Sequence, residues 1–80
     1  MIMTKPQVLA LLARHSDLDA ASVAEELGAT DAGAGMFLLR LTRQGLIQRA
    51  FDPQDRLYFY QLTAKGRARL AYLTTHTPTR

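Results

Sequence analysis

The hydrophobic residues change their spacing from helical to strand-like at Gly45 and return to helical spacing after Leu62. Before Gly45, apolar side chains recur at three- and four-residue intervals; after it, Ile47 to Phe51 and Leu57 to Leu62 follow a two-residue pattern. The first spacing lines one face of a helix and the second one face of a strand, and neither serves as the other. A chain of 80 residues with one such strand-like stretch is restricted to a helical body carrying a small hairpin. At this length it makes one domain, and about two-thirds of the unfolded surface is all it can bury. The core must therefore come from few side chains, held by well-made helix ends and turns.

Those ends are legible. Thr4 and Gln7 fit a capping box with Pro6 in the first turn, and Val8, Leu9, Leu11 and Leu12 follow, which predicts a helix over residues 5–14. Ser16-Asp17-Leu18 reads as a short loop. Asp19 is an N-cap for a second helix, Ala20 to Leu27, with Leu18 and Val23 placed as a hydrophobic staple and Gly28 as its left-handed stop. Thr30 or Asp31 caps a third helix whose buried face is Ala34, Leu38 and Leu41, with Phe37 at the edge; Gly45 ends it and Leu46 folds back on Leu41. Ile47–Phe51 and Leu57–Leu62 read as strands around a type I turn, Asp52-Pro53-Gln54-Asp55. Thr63 caps a last helix to about Leu73, packed by Leu70, Leu73 and one face of Ala68 and Ala71, and 74–80 reads as a flexible polar tail.

Composition narrows the function. There is no cysteine, which removes a disulfide framework, a thiol nucleophile and Cys-based metal sites, and agrees with a cytoplasmic setting. His15 and His76 lie far apart with no acidic residue at ligand spacing, so no metal or other cofactor is expected. Asp17/Asp19 and Glu25/Glu26 fall at helix-start and exposed-helix positions, Ser16, Ser22 and His15 carry no nucleophile signature, and Gly28, Gly33 and Gly35 follow no strand. An enzyme is not expected. No apolar run approaches the roughly eighteen residues of a membrane span, and Met1-Ile2-Met3 is too short for a signal sequence. The net charge of +3 divides unevenly: residues 1–39 carry two basic against five acidic groups, residues 40–80 eight against two. A basic second half suits a polyanion or is ordinary solvated surface.

Two local patterns carry a resemblance. Leu38-Leu39-Arg40-Leu41-Thr42-Arg43-Gln44-Gly45-Leu46-Ile47 is similar to the L-x-x-L-x-x-x-G-L-I that joins a recognition helix to a wing. Tyr60-Gln61-Leu62-Thr63-Ala64-Lys65-Gly66-Arg67-Ala68-Arg69-Leu70 resembles the Y-x-L-T-x-x-G-x-x-x-L that follows the wing in MarR-like and PadR-like bacterial transcriptional regulators. The resemblance covers residues 4–73 and implies a fold that is mainly α with a small β-hairpin, a winged helix-turn-helix in the order α-α-α-β-β-α. It further implies a regulator that binds double-stranded DNA as a homodimer, the third helix (about 31–44) in the major groove and the wing (about 47–62) on the flanking backbone or minor groove.

Carried onto this sequence, the DNA-contacting candidates are Thr30, Ala32, Gly33, Gly35, Met36, Arg40 and Arg43 on the third helix, and Arg49, Gln54 and Arg56 on the wing. The first half of that helix departs from expectation, because direct readout needs hydrogen-bonding side chains. Ala, Gly and Met offer contact with thymine methyls or close backbone approach. The alternative is a winged-helix adaptor that binds no DNA, with Gly33, Gly35 and Met36 as a protein-docking face. Arg56 has a second reading as an ion-pair partner of Asp52 or Asp55, and Lys65, Arg67 and Arg69 read as solvated helix surface. Tyr58 and Tyr60 share one strand face and Phe59 takes the other, so the aromatics supply either a core edge with a tyrosine rim or, with Tyr72 and Leu73, a dimer surface.

Overall fold

The computed structural model describes residues 3–76. The elements are α1 (Lys5–Arg14), α2 (Ala20–Leu27), α3 (Asp31–Arg43), β1 (Ile47–Asp52), β2 (Leu57–Leu62) and α4 (Ala64–His76), the order expected. α1 starts on a complete capping box: Thr4 Oγ1 accepts from the Gln7 N–H, and Gln7 Oε1 accepts from the Thr4 N–H. Asp19 caps α2 through Ser22 N–H at 2.9 Å, and Thr30 caps α3 through Gly33 N–H at 3.0 Å. Such caps are worth about 1 kcal/mol each, a large fraction of what holds a small domain together.

Two left-handed glycines turn the chain between helices and into the hairpin. Gly28 (φ 66°) ends α2, with the Ala29 N–H returning to the Ala24 carbonyl at 2.9 Å. Gly45 (φ 78°) ends α3 in a full Schellman arrangement: its N–H bonds the Thr42 carbonyl at 3.0 Å, and the Leu46 N–H bonds that of Leu41 at 3.1 Å. Side chains with a Cβ take this conformation only at a cost, so both positions favour glycine.

Between the elements lies one core: Val8, Leu9, Leu11 and Leu12 of α1, Val23 of α2, Leu38 and Leu41 of α3, then Leu46, Ile47 and Tyr60. Phe37, Leu18, Leu62, Leu70 and Leu73 pack around it half-buried. Leu18 and Val23, the pair expected as a staple at α2, both join this core, and the buried face of α3 is the one expected.

Four details differ from the sequence reading. Leu18 is not free loop: it forms a single antiparallel bridge with Tyr60, whose N–H bonds the Leu18 carbonyl at 2.8 Å, so the hairpin has a one-residue third strand at its root. β1 runs one residue further, to Asp52, and the hairpin loop is Pro53–Arg56, closed by Arg56 N–H to the Asp52 carbonyl at 2.7 Å. A type I turn over 52–55 would have closed one residue earlier, but Arg56 adopts a left-handed conformation (φ 56°) that adds a residue. α4 continues to His76, past the expected end at Leu73, so 74–76 are helical; residues 77–80 of the expected tail lie outside the described residues. Ala68 and Ala71, expected to help pack α4, are exposed, and only Leu70 and Leu73 reach the core edge.

α4 is fastened to the α3–β1 corner at its first turn. Thr63 Oγ1 donates to the Gly45 carbonyl at 2.6 Å and accepts from the Gly66 N–H at 3.0 Å, while the Thr63 N–H bonds the Leu46 carbonyl at 3.1 Å. Lys65 Nζ, expected to be solvated, donates to the Gln44 carbonyl at 2.9 Å. Gly66 sits directly on this corner: a Cβ there would lie 1.9 Å from the Leu46 carbonyl oxygen and 2.9 Å from Leu62 Cδ1.

Gly66→Ala should therefore lower stability by about 3 kcal/mol, the upper end for overpacking, seen as a lower urea midpoint with an unchanged slope. A loss within ±0.5 kcal/mol, the ordinary surface range, would show that α4 shifts freely and the corner is not tight. A second prediction concerns acid. The Ser22 hydroxyl and amide hydrogen bonds hold the Asp19 carboxyl below its ordinary range. With the folded value below the unfolded one, the stabilisation is complete above about pH 4 and is lost as pH falls through the depressed folded value. Asp19→Asn, which keeps a cap acceptor without the charge, should flatten the acid limb of stability against pH; an acid limb as steep as the parent's would refute this.

Candidate nucleic-acid interface

α2, the turn Gly28-Ala29-Thr30 and α3 form the helix-turn-helix. Burial of Ala34, Leu38 and Leu41 fixes the rotation of α3 about its axis and so decides which residues face outward. Ala32, Met36, Arg40 and Arg43, at intervals of four, four and three, form an exposed stripe opposite that face, with Met36 60% exposed. Gly33 is exposed as well, whereas Gly35, expected to be exposed, is half-buried. Arg40 and Arg43 also occupy the last turn, where positive charge complements the helix dipole.

The structure separates the two glycines. A Cβ on Gly33 would fall 2.9 Å from Thr30 Oγ1, the hydroxyl that caps the helix, so a small residue there protects the cap. Gly35 has nothing within 4 Å of an added Cβ, and no packing accounts for it. Thr30 itself, a candidate contact, has its hydroxyl engaged as that cap acceptor.

On the wing, Ile47 pairs with Leu62, Arg49 with Tyr60 and Phe51 with Tyr58 on one face; Gln48 with Gln61, Ala50 with Phe59 and Asp52 with Leu57 on the other. Tyr60 is buried in the core, Phe59 half-buried and Tyr58 exposed, so of the two tyrosines expected on a rim only Tyr58 lies at the surface. The Arg49 guanidinium lies over the Tyr58 ring, 4.4 Å from its centroid, and the Phe51 ring meets Tyr58 at 5.2 Å and 59°. Gln54 and Arg56 stand exposed at the tip. The Asp52 carboxylate accepts from the Gln54 N–H at 2.9 Å, so it closes the turn, while the Asp52 backbone carbonyl accepts from the Arg56 N–H.

On the second face Gln48 Nε2 donates to Gln61 Oε1 at 3.2 Å, and Gln61 Nε2 donates to Asp17 Oδ1, tying the wing to the α1–α2 loop. Sequence reasoning missed this chain, the Leu18 bridge and the roles of Lys65 and Gly66. The available signals were an apolar Leu18 inside a polar loop and a glycine in the first turn of a helix. Among the described residues no group of His, Cys, Asp or Glu is placed to hold a metal ion, and no helix is long and apolar enough to cross a membrane.

No family model and no curated protein matches the chain. Solved structures do. A MarR-family transcriptional regulator from Silicibacter pomeroyi superposes with TM-score 0.80 at 28% identity over 90% of this chain and 49% of its own. The fold is that of a MarR-family winged helix. FabT of Streptococcus pneumoniae, solved in complex with DNA, gives 0.82 at 25% identity over 94% of this chain and 53% of its own. The transcriptional repressor CouR, bound to a 23-mer DNA duplex, gives 0.82 at 32% identity over 88% and 50%. The chain thus spans about half the length of the winged-helix proteins it resembles.

Because Gly35 has open space above it, Gly35→Ala should stabilise the domain by about 1 kcal/mol through helix propensity alone. Thermal unfolding would register this as a rise of roughly 4–8 °C. A fall in Tm would mean that the backbone at Gly35 packs more closely than its surroundings show.

Proposed function

We propose that this chain is a DNA-binding domain of a transcriptional regulator, with α3 in the major groove and the wing against the flanking backbone or minor groove. The observation that carries the reading is that two proteins solved on DNA, FabT and the transcriptional repressor CouR, share its fold over about nine-tenths of its length. The distribution of side chains supports it. α3 turns an exposed stripe outward and ends it with Arg40 and Arg43, where paired cations meet phosphates. The wing adds Arg49 and Arg56. Arg56 holds a left-handed conformation that glycine would adopt without strain, so the charge at the wing tip is kept against local preference.

Ala32, Gly33, Gly35 and Met36 bring the backbone of α3 close to base edges and offer apolar contact to thymine methyls, with Thr30 as the flanking helix cap and Gln54 beside Arg56 at the wing tip. The functional unit of this reading is a homodimer on a pseudo-palindromic site, its two α3 helices about 34 Å apart along the duplex. The protein acts by occupying DNA and catalyses nothing.

The second reading, a protein-docking adaptor, is favoured by one observation: Met36 is a large apolar side chain 60% exposed on the outward stripe.

Fluorescence anisotropy with a labelled duplex of roughly 25 base pairs, long enough for two half-sites, separates them. The parent should bind with an affinity that falls steeply as salt rises. Arg40→Ala with Arg43→Ala should weaken binding at least about tenfold and reduce the salt slope by about 1.8, two phosphate contacts at about 0.9 each. If the double variant binds with the parent's affinity and slope while Met36→Glu alone abolishes capture of a protein partner, the adaptor reading replaces the DNA reading.

A further inference from the structure

The wing carries an arginine laid on an aromatic pair outside the core. Arg49 and Tyr58 occupy the same face of the hairpin on adjacent strands, one register step apart, and the guanidinium lies 4.4 Å from the centre of the tyrosine ring. Phe51, directly across the ladder from Tyr58, meets that ring at 5.2 Å. All three are exposed, Tyr58 by 45% and Phe51 by 52%, so the cluster lies outside the core. The Phe51–Tyr58 pair steadies the outer hairpin across the ladder, but that task needs no cation, so the guanidinium laid on the ring is the feature that folding does not call for. An exposed arginine ordinarily samples many rotamers, and fixing one costs entropy when a contact forms. A ring beneath the guanidinium removes part of that freedom beforehand. A guanidinium stacked on a ring keeps its N–H donors at its edge, available to a further acceptor.

We propose that Tyr58 is a positioning residue for Arg49: it holds the guanidinium flat against the wing so that its N–H edge presents to a phosphate of the DNA backbone. The inference rests on the DNA reading above and adds a residue to it, with Phe51 packing against the ring to limit its motion. Tyr58 acts through Arg49 and needs no contact with the nucleic acid.

Phosphate contacts do not depend on base sequence, so any duplex of roughly 25 base pairs, long enough for two half-sites, serves as probe. Arg49→Ala should lower the salt slope of binding by about 0.9, the signature of one lost phosphate contact. Tyr58→Ile keeps a strand-forming residue but removes the π face; it should weaken binding by about two- to fivefold with the salt slope unchanged. Tyr58→Phe should restore the parent affinity, since its ring retains the π face. In the Arg49→Ala background, Tyr58→Ile should have no further effect.

Two outcomes overturn the proposal alone: a parent that binds DNA and is unaffected by Tyr58→Ile, or a Tyr58→Ile loss of the same size with and without Arg49. A parent that binds no duplex even at low salt overturns the DNA reading and this proposal together. Thermal unfolding of each variant confirms that the loss is in binding, since an exposed position should leave Tm within a few degrees of the parent.

Discussion

The Thr63 hydroxyl bridges the Gly45 carbonyl and the Gly66 amide. This single side chain joins the end of α3, the start of β1 and the first turn of α4. Each group it satisfies would otherwise be an orphan at a helix end or a sharp corner, and the corner is too tight to admit a Cβ at Gly66. Lys65 adds a bond to the Gln44 carbonyl, one residue before Gly45. The angle between α3 and the wing is therefore set by hydrogen bonds at their junction together with Leu46 and Ile47 beneath it. In a domain with so small a core, apolar packing alone would leave that angle soft. Any surface that α3 and the wing present jointly depends on it.

Much of the fold was legible because it is encoded locally. Thr4 and Gln7, Asp19, Gly28 and the Gly45–Leu46 pair each act within five residues of themselves, and the bounds of α1 and α2 follow from them. The differences arise where the deciding partner is distant or conformational. Leu18 is read as loop until Tyr60, 42 positions later, pairs with it. The hairpin loop is one residue longer than a type I turn because Arg56 adopts a conformation that sequence preference assigns to glycine or asparagine. α4 outruns its last apolar residue, since nothing in Thr74-Thr75-His76 stops a helix.

The candidate site was legible to a lesser degree, for a related reason. Helical periodicity gives the outward stripe Ala32, Met36, Arg40 and Arg43 once the buried face is known. It cannot tell Gly33, which spares the Thr30 cap, from Gly35, which spares nothing nearby. Periodicity likewise places Arg49 and Tyr58 on one face of the wing but not in contact, because cross-strand diagonals depend on register. Resemblance to a family supplies positions. Which side chains are already engaged within the chain, such as Thr30, Lys65 and Asp52, emerges only from geometry.

The bracing of the wing shows how those engagements divide the labour. An isolated two-stranded hairpin is marginal in water, and this one is held along its inner half from both faces. The buried Ile47 and Tyr60 anchor one face, and the chain Gln48–Gln61–Asp17 with the Leu18 bridge ties it to the α1–α2 loop. Beyond Tyr60, Phe51 and Tyr58 stand exposed, and the outer strands depend more on cross-strand pairs for their order. There the ladder carries an aromatic pair, with Arg49 on its inner flank and Arg56 at its tip. Rigidity at the root and charge toward the tip are what an arm needs if it is to hold cations at a fixed distance from α3. The outer aromatics extend that rigidity past the last point where the core supplies it.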